Sequence, residues 1–338
     1  MDSTVFDKVD RDLAHALQID GRAQFNRIAE VLGVSDSTVA RRYHRLHSAG
    51  LLRVVASVNL SRLGYVPWTI RLQCTPDAAG GIAAALARRT DTFWVHLLSG
   101  GTEISCGTQA RTGGGSGDSL LLHKLSRTTR VVSVSAHAML QGFASPAQWS
   151  GLTSLSPAQA EALRPAPVGA DDGPTDLSSE DHSLLEVLSR NGRAGFGELA
   201  DATGWSESTV RRRMEHLTRT GVLRYEVDLP ASALGYRAEA RLWMSVRPSE
   251  LVATAQALAE QPEVSFAAVT TGSTNLMASV ICKDHPDLYR YLTERVASLE
   301  GVHHMETATV DRTVKRAGSA LPSDAFRAAT LLRGEPGR

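Results

Sequence analysis

The chain has 338 residues, 42% apolar and 21% charged, with 36 basic and 36 acidic side chains. That length exceeds one small domain, and the composition indicates neither a disordered chain nor a membrane protein. Zero formal net charge means that any nucleic-acid partner must be met by a local patch.

The start, "MDSTVFDKVDRD", is acidic and polar where a secretory signal needs a basic start and an apolar run, so the chain is expected in the cytoplasm. Three helices follow, near 7–19, 25–32 and 36–48, and then "LLRVVASVNL", expected as a two-stranded wing. A helix-turn-helix needs a small residue where its helices touch, a residue tolerant of positive φ in the turn, and an apolar anchor beyond it. Ala29, Gly33 and Val39 fit, and Ser35 stands at the N-cap of the third helix. At about 100° per residue that helix turns Val39, Tyr43 and Leu46 inward and Ser37, Thr38, Arg41 and Arg45 outward. Hydroxyls at the helix start and arginines one turn on suit the DNA major groove, with Arg42 and Arg53 flanking for phosphates.

From 64 to 143 the pattern becomes strand "VPWTIRLQC", a helix from Pro76, strands "FWVHLLS" and "EISCGTQA", helix "DSLLLHKLSR" and strand "VVSVSAHAML". That order is βαββαβ, a ferredoxin-like arrangement. Residues 144–176 are rich in Pro, Gly, Ala and Ser and are expected as a linker, with a short helix over "SPAQAEAL".

The rest repeats the first half. "GWSESTVRRRMEHL" from Gly204 falls on "GVSDSTVARRYHRL" from Gly33, 171 residues earlier, and "NGRAGF" falls on "DGRAQF". The second copy turns Val210, Met214 and Leu217 inward and Ser208, Thr209, Arg212 and His216 outward, with Arg211, Arg213 and Arg224 alongside. After one inserted residue the offset is 172, which lays "GSTNL" from Gly272 on "GGTEI" from Gly100. The fold class is therefore α+β: winged helix-turn-helix domains at 1–60 and 177–231, ferredoxin-like domains at 64–143 and 235–314, and a tail over 315–338.

Other chemistry finds little support. Cys74, Cys106 and Cys282 form no C-x-x-C pair and read as small core residues. His303 and His304 are neighbours on one strand, so they point to opposite faces and cannot chelate one metal. "GGGSG" lacks the Lys-Ser/Thr ending of a phosphate loop. No nucleophile–base pair stands out; a catalytic site, a metal and a cofactor are not expected.

Asp10, "DGR", "SDSTVARRYHRL" and "GLL", repeated as Asp181, "NGR", "SESTVRRRMEHL" and "GVL", resemble the Lrp/AsnC, or feast/famine, transcription regulators. The resemblance implies a regulatory domain that pairs through its sheet and binds a small effector, often an amino acid. Where family members hold one such unit per chain, this chain holds two, which implies a fused pseudo-dimer that assembles further as a homo-oligomer on double-stranded DNA. Family effectors contact the loop that matches Gly100, Gly101, Thr102 and Glu103 here, and Gly272, Ser273, Thr274 and Asn275 in the second half. Freed amides would take a carboxylate and Glu103 an ammonium group; Asn275 lacks that charge. The expectation is a DNA-binding regulator and not an enzyme. The alternative is a siroheme decarboxylase of the same architecture, although such an enzyme has no evident reason to keep capped, arginine-bearing recognition helices.

Overall fold

The computed structural model describes residues 6–63, 65–89, 92–111, 130–165, 177–316 and 319–320. In the first half the elements are α1 (Lys8–Ile19), α2 (Phe25–Leu32), α3 (Asp36–Ser48), β1 (Arg53–Val58), β2 (Tyr65–Cys74), α4 (Pro76–Ala87), β3 (Thr92–Leu98), β4 (Glu103–Arg111) and β5 (Val131–Ala144). After α5 (Pro157–Leu163) come α6 (Ser179–Arg190), α7 (Phe196–Thr203), α8 (Glu207–Arg219), β6 (Leu223–Asp228), β7 (Ala238–Val246), α9 (Leu251–Ala259), β8 (Val264–Thr270), β9 (Leu276–Cys282), α10 (His285–Arg290) and β10 (Val302–Arg316). The helix expected over "DSLLLHKLSR" and the glycine-rich run after Arg111 lie outside the described residues.

The chain divides not into its two halves but into a helical unit, residues 1–63 with 152–234, and a sheet unit, 64–151 with 235–320. In the helical unit α2 and α7 stop at Gly33 and Gly204, whose φ of 67° and 72° suit glycine. Ser35 and Ser206 then cap α3 and α8 by accepting from the amides of Thr38 and Thr209. The helical period holds: Val39, Tyr43 and Leu46, and Val210, Met214 and Leu217, are all buried.

Two expectations about this unit are corrected. The strand after each third helix does not fold into its own two-stranded wing. β1 pairs with β6 antiparallel, from Arg53 opposite Asp228 to Val58 opposite Leu223, so each copy supplies the neighbour of the other's strand. The reason lies in burial: Val54, Val55 and Ala56 are apolar and inaccessible, and Ala56 joins the core of the second copy. Nor is the whole of 144–176 a linker. Leu152, Leu155 and Leu163 are buried, Gln159 donates to the Val31 carbonyl at 2.9 Å, and Arg27 donates to the Ala162 carbonyl at 2.7 Å. An apolar side to α5 docks it on α1 and α2, which composition alone hides.

In the sheet unit the second half shows its full βαββαβ order, with α10 passing into a π-helical turn over Tyr291–Val296. Each last strand is long enough to serve both halves. β5 pairs with β2 as far as Ala138 and with β8 from Met139; β10 pairs with β7 as far as Thr309 and with β3 from Val310. The pairings close a circuit β3-β4-β2-β5-β8-β9-β7-β10. Along β7, Ala240, Leu242 and Met244 enter the main apolar core, so Arg241 and Trp243 occupy the opposite face. There Trp243 packs with Leu98, Met277 and Ala308 in a cluster drawn from both halves.

Candidate nucleic-acid interface

The capped starts of α3 and α8 carry matching hydroxyl groups. Ser35 Oγ lies 3.0 Å from Ser37 Oγ and 2.8 Å from Thr38 Oγ1; Ser206 Oγ lies 2.9 Å from both Ser208 Oγ and Thr209 Oγ1. Ser37, Ser208, Arg41 and Arg212 are exposed, and Thr38 and Thr209 half-buried. Among the described residues no hydrogen bond or ion pair holds Arg41 or Arg212, which leaves both guanidinium groups to solvent or to a ligand. Arg212 borders an open cleft of about 680 Å³ with Trp205, Thr209, His216 and Arg219. Arg219 Nη2 lies 3.2 Å from His216 Nδ1. Since arginine cannot accept, Nδ1 carries the lone pair and Nε2 the proton.

Three arginines expected for DNA contacts are also held by carboxylates of the first helix, or of its N-cap, in their own copy. Arg45 Nη2 donates to both oxygens of Asp10, at 2.6 and 2.8 Å, and Arg42 donates to Asp10 at 3.1 Å and to Asp7. Arg213 grips Asp181 through Nε at 2.7 Å and Nη2 at 2.6 Å. Asp10 is 3% exposed and Asp181 1%. A buried carboxylate needs such partners, so these arginines brace the third helix against the first. Burial acts to raise the Asp181 pKa, but the bonds from Arg213 and the Ser178 amide outweigh it and hold the carboxyl below its usual range. Of the flanking residues, Arg53 is paired with Asp228 at 2.5 Å, and Arg211 lies over the Phe196 ring, 4.1 Å from its centroid.

The repeated "GR" of "DGR" and "NGR" joins the two copies. Arg22 donates to the carbonyls of Gly192 and Ala194, at 2.7 and 3.1 Å, while Arg193 donates to those of Gly21 and Ala23, at 2.7 and 2.9 Å. Each guanidinium also faces rings, Arg22 those of Phe196 and Tyr225, Arg193 those of Phe25 and Tyr43. A Cβ on Gly21 would lie 2.7 Å from Tyr225 Cβ, and one on Gly192 3.0 Å from the Val54 carbonyl oxygen. The motif is visible in the sequence, but nothing local in it signals a partner in the other repeat.

In the glycine loops Glu103 is already engaged: Arg71 closes over its carboxylate with bonds of 2.9 and 3.1 Å and also reaches Glu306 at 2.5 Å, its guanidinium 4.1 Å above Trp243. Asn275 is closed as well: its amide accepts from Val246 N at 2.9 Å and donates to Val246 O at 2.8 Å. Gly100 and Gly101 adopt φ of 68° and 81°, with the Gly101 amide bonded to Asp311 at 3.0 Å. Gly272 has φ 104°, and a Cβ there would lie 2.3 Å from the His137 ring. Ser273 and Thr274 accept through their carbonyls from Ser245 and Thr270.

Sequence reasoning missed a buried polar group in the sheet unit. His96, 1% exposed, lies between Thr313 Oγ1, 3.1 Å from Nδ1, and Arg241 Nη2, 2.5 Å from Nε2. Arg241 is itself buried, with Glu239 at 3.3 Å. At the 172-residue offset the counterparts are Ala268 and Thr69, so the feature exists once and not twice.

Two capped helix-turn-helix units joined to ferredoxin-like sheets define a duplicated protein of the helix-turn-helix class. The AsnC-type helix-turn-helix family model matches residues 6–47 and 179–218, and the Lrp/AsnC ligand-binding domain matches 239–320. An uncharacterized HTH-type transcriptional regulator of Pyrococcus horikoshii is 31% identical over 147 residues, 43% of this chain and 92% of that protein. The HTH-type transcriptional regulator Ptr1 of Methanocaldococcus jannaschii is 32% identical over 147 residues, 43% of this chain and 99% of its own. The chain belongs to the Lrp/AsnC family, and each of these relatives matches about one repeat's length. Among solved structures, the siroheme decarboxylase NirDL covers 97% of this chain and 100% of its own, with a TM-score of 0.62 and 14% identity. That likeness overturns the expectation that the chain is not an enzyme, since an enzyme has this fold along nearly the whole length. Architecture does not separate the two activities.

Proposed function

We propose that the protein is a sequence-specific DNA-binding transcriptional regulator whose single chain supplies both half-site readers. The observation that carries this reading is the pair of capped helices on which Arg41 and Arg212 stand exposed and uncommitted beside Ser37, Thr38, Ser208 and Thr209. In this reading these side chains reach base edges and phosphates from two helices set about one DNA turn (~34 Å) apart, with Arg211 and the Nε2–H of His216 adding contacts on the second copy. Arg42, Arg45 and Arg213 brace the readers through their aspartate partners and add contacts to DNA from the same helices. A small effector, amino-acid-like in chemistry, acts at the glycine loops through backbone groups, and chains assemble further as homo-oligomers. Binding to genomic fragments with a salt titration tests the reading: affinity should fall steeply with salt. Arg41→Ala should cost about 1–3 kcal/mol at one half-site alone; equal loss at both would defeat the assignment of one helix to each half-site.

A second reading, catalysis on siroheme, is favoured by the whole-length likeness to NirDL and by the single buried His96–Arg241 pair. A visible absorbance change when siroheme is added to the purified chain supports that reading; an unchanged spectrum counts against it.

A further inference from the structure

The two readers are not tethered loosely but held in one frame. Arg22 and Arg193 exchange four bonds to main-chain carbonyls of the opposite copy, each fork seated against two aromatic rings. The clasp lies beside the β1–β6 ladder, where Gly192 N donates to Val54 O at 2.8 Å. Gly21 and Gly192 admit no side chain at the crossing without a shift of the neighbouring residues. A planar fork that satisfies two carbonyls at once fixes orientation as well as distance, which a single-point contact cannot do.

We propose that Arg22 and Arg193 are positioning residues that set the separation and orientation of α3 and α8, and therefore the one half-site spacing that the chain accepts. The proposal rests on the DNA-binding reading above. It also removes one route of control: an effector that leaves the clasp intact does not change the distance between the readers, so it acts on the affinity of the pair as a whole.

The test uses the full-length chain and duplexes that the wild type selects from a random-sequence pool. The half-sites recovered are rebuilt with spacers of every length from zero to one helical turn. The wild type should bind one spacing at least tenfold better than those two base pairs shorter or longer. The double variant Arg22→Ala/Arg193→Ala should bind several spacings within threefold while keeping the same base preference inside each half-site. Arg22→Lys should behave like Arg22→Ala, because charge is kept and the fork is lost; recovery by lysine would mean a direct phosphate contact and would overturn the proposal. So would an unchanged spacing preference in the double variant. Should that variant not fold, Arg193→Gln decides on the same readout, with the two bonds of Arg22 still in place. A wild type that selects no duplex defeats the underlying reading, an outcome distinct from selection without a spacing preference, which defeats the clasp alone.

Discussion

Arg212 and Arg213 are neighbours with opposite fates. Arg213 holds the carboxylate of Asp181, which is 1% exposed, whereas Arg212 reaches solvent. Arg213→Ala strands a buried charge and should lower unfolding free energy by about 3 kcal/mol, while Arg212→Ala should change it by less than about 0.5 kcal/mol and weaken DNA binding instead. Urea unfolding and DNA titration of the two variants separate these roles. His96 gives a residue-scale pH dependence. Burial first, then the charges of Arg241 and Arg316, hold its pKa well below 6.5, so the folded chain keeps it neutral. The unfolded chain takes up a proton near ~6.5, which means that stability is full above that pH and declines below it. The urea midpoint should drop between pH 7.5 and 5.5, and His96→Asn, which retains an acceptor for Arg241, should show a smaller drop. An equal drop in both chains would assign the effect to other groups.

Elements were legible to the extent that their signals are local. The caps at Ser35 and Ser206, the turns at Gly33 and Gly204 and the inward stripes of α3 and α8 follow from sequence because each depends on residues within a few positions. The ion pair between Arg45 and Asp10 spans 35 residues and the bond from Arg22 to Gly192 spans 170, and no periodicity announces either. The apparent wing failed for the same reason: six residues of β1 look like half a hairpin, and their partner lies in the other repeat. Two glycines at element boundaries should show two distinct costs. Gly21→Ala drives a methyl against Tyr225 and Val54 and should cost about 1–3 kcal/mol by overpacking. Gly33→Ala meets nothing within 4 Å, but a φ of 67° should cost about 1 kcal/mol. Thermal melts of both variants check the order; equal stability of the Gly21 variant and wild type would contradict the close approach.

At the scale of the molecule, the two repeats are interleaved: recognition helices gather in one unit and sheets in the other. One chain should therefore occupy one duplex carrying two half-sites, a ratio that native mass spectrometry of the complex reads directly; two chains on a minimal duplex would mean that each chain contributes one reader. The pairing of β5 with β8 and of β10 with β3 needs a partner half, and here covalent linkage supplies it at every concentration. A symmetric homodimer must write every residue twice, so any favourable change at one corner brings its copy at the other. The lone His96–Arg241 contact, faced across the pseudo-axis by Ala268 and Thr69, is what becomes possible once that obligation is lifted. Each corner of such a molecule drifts under its own selection, and one gene can refine a single special site while its twin stays plain.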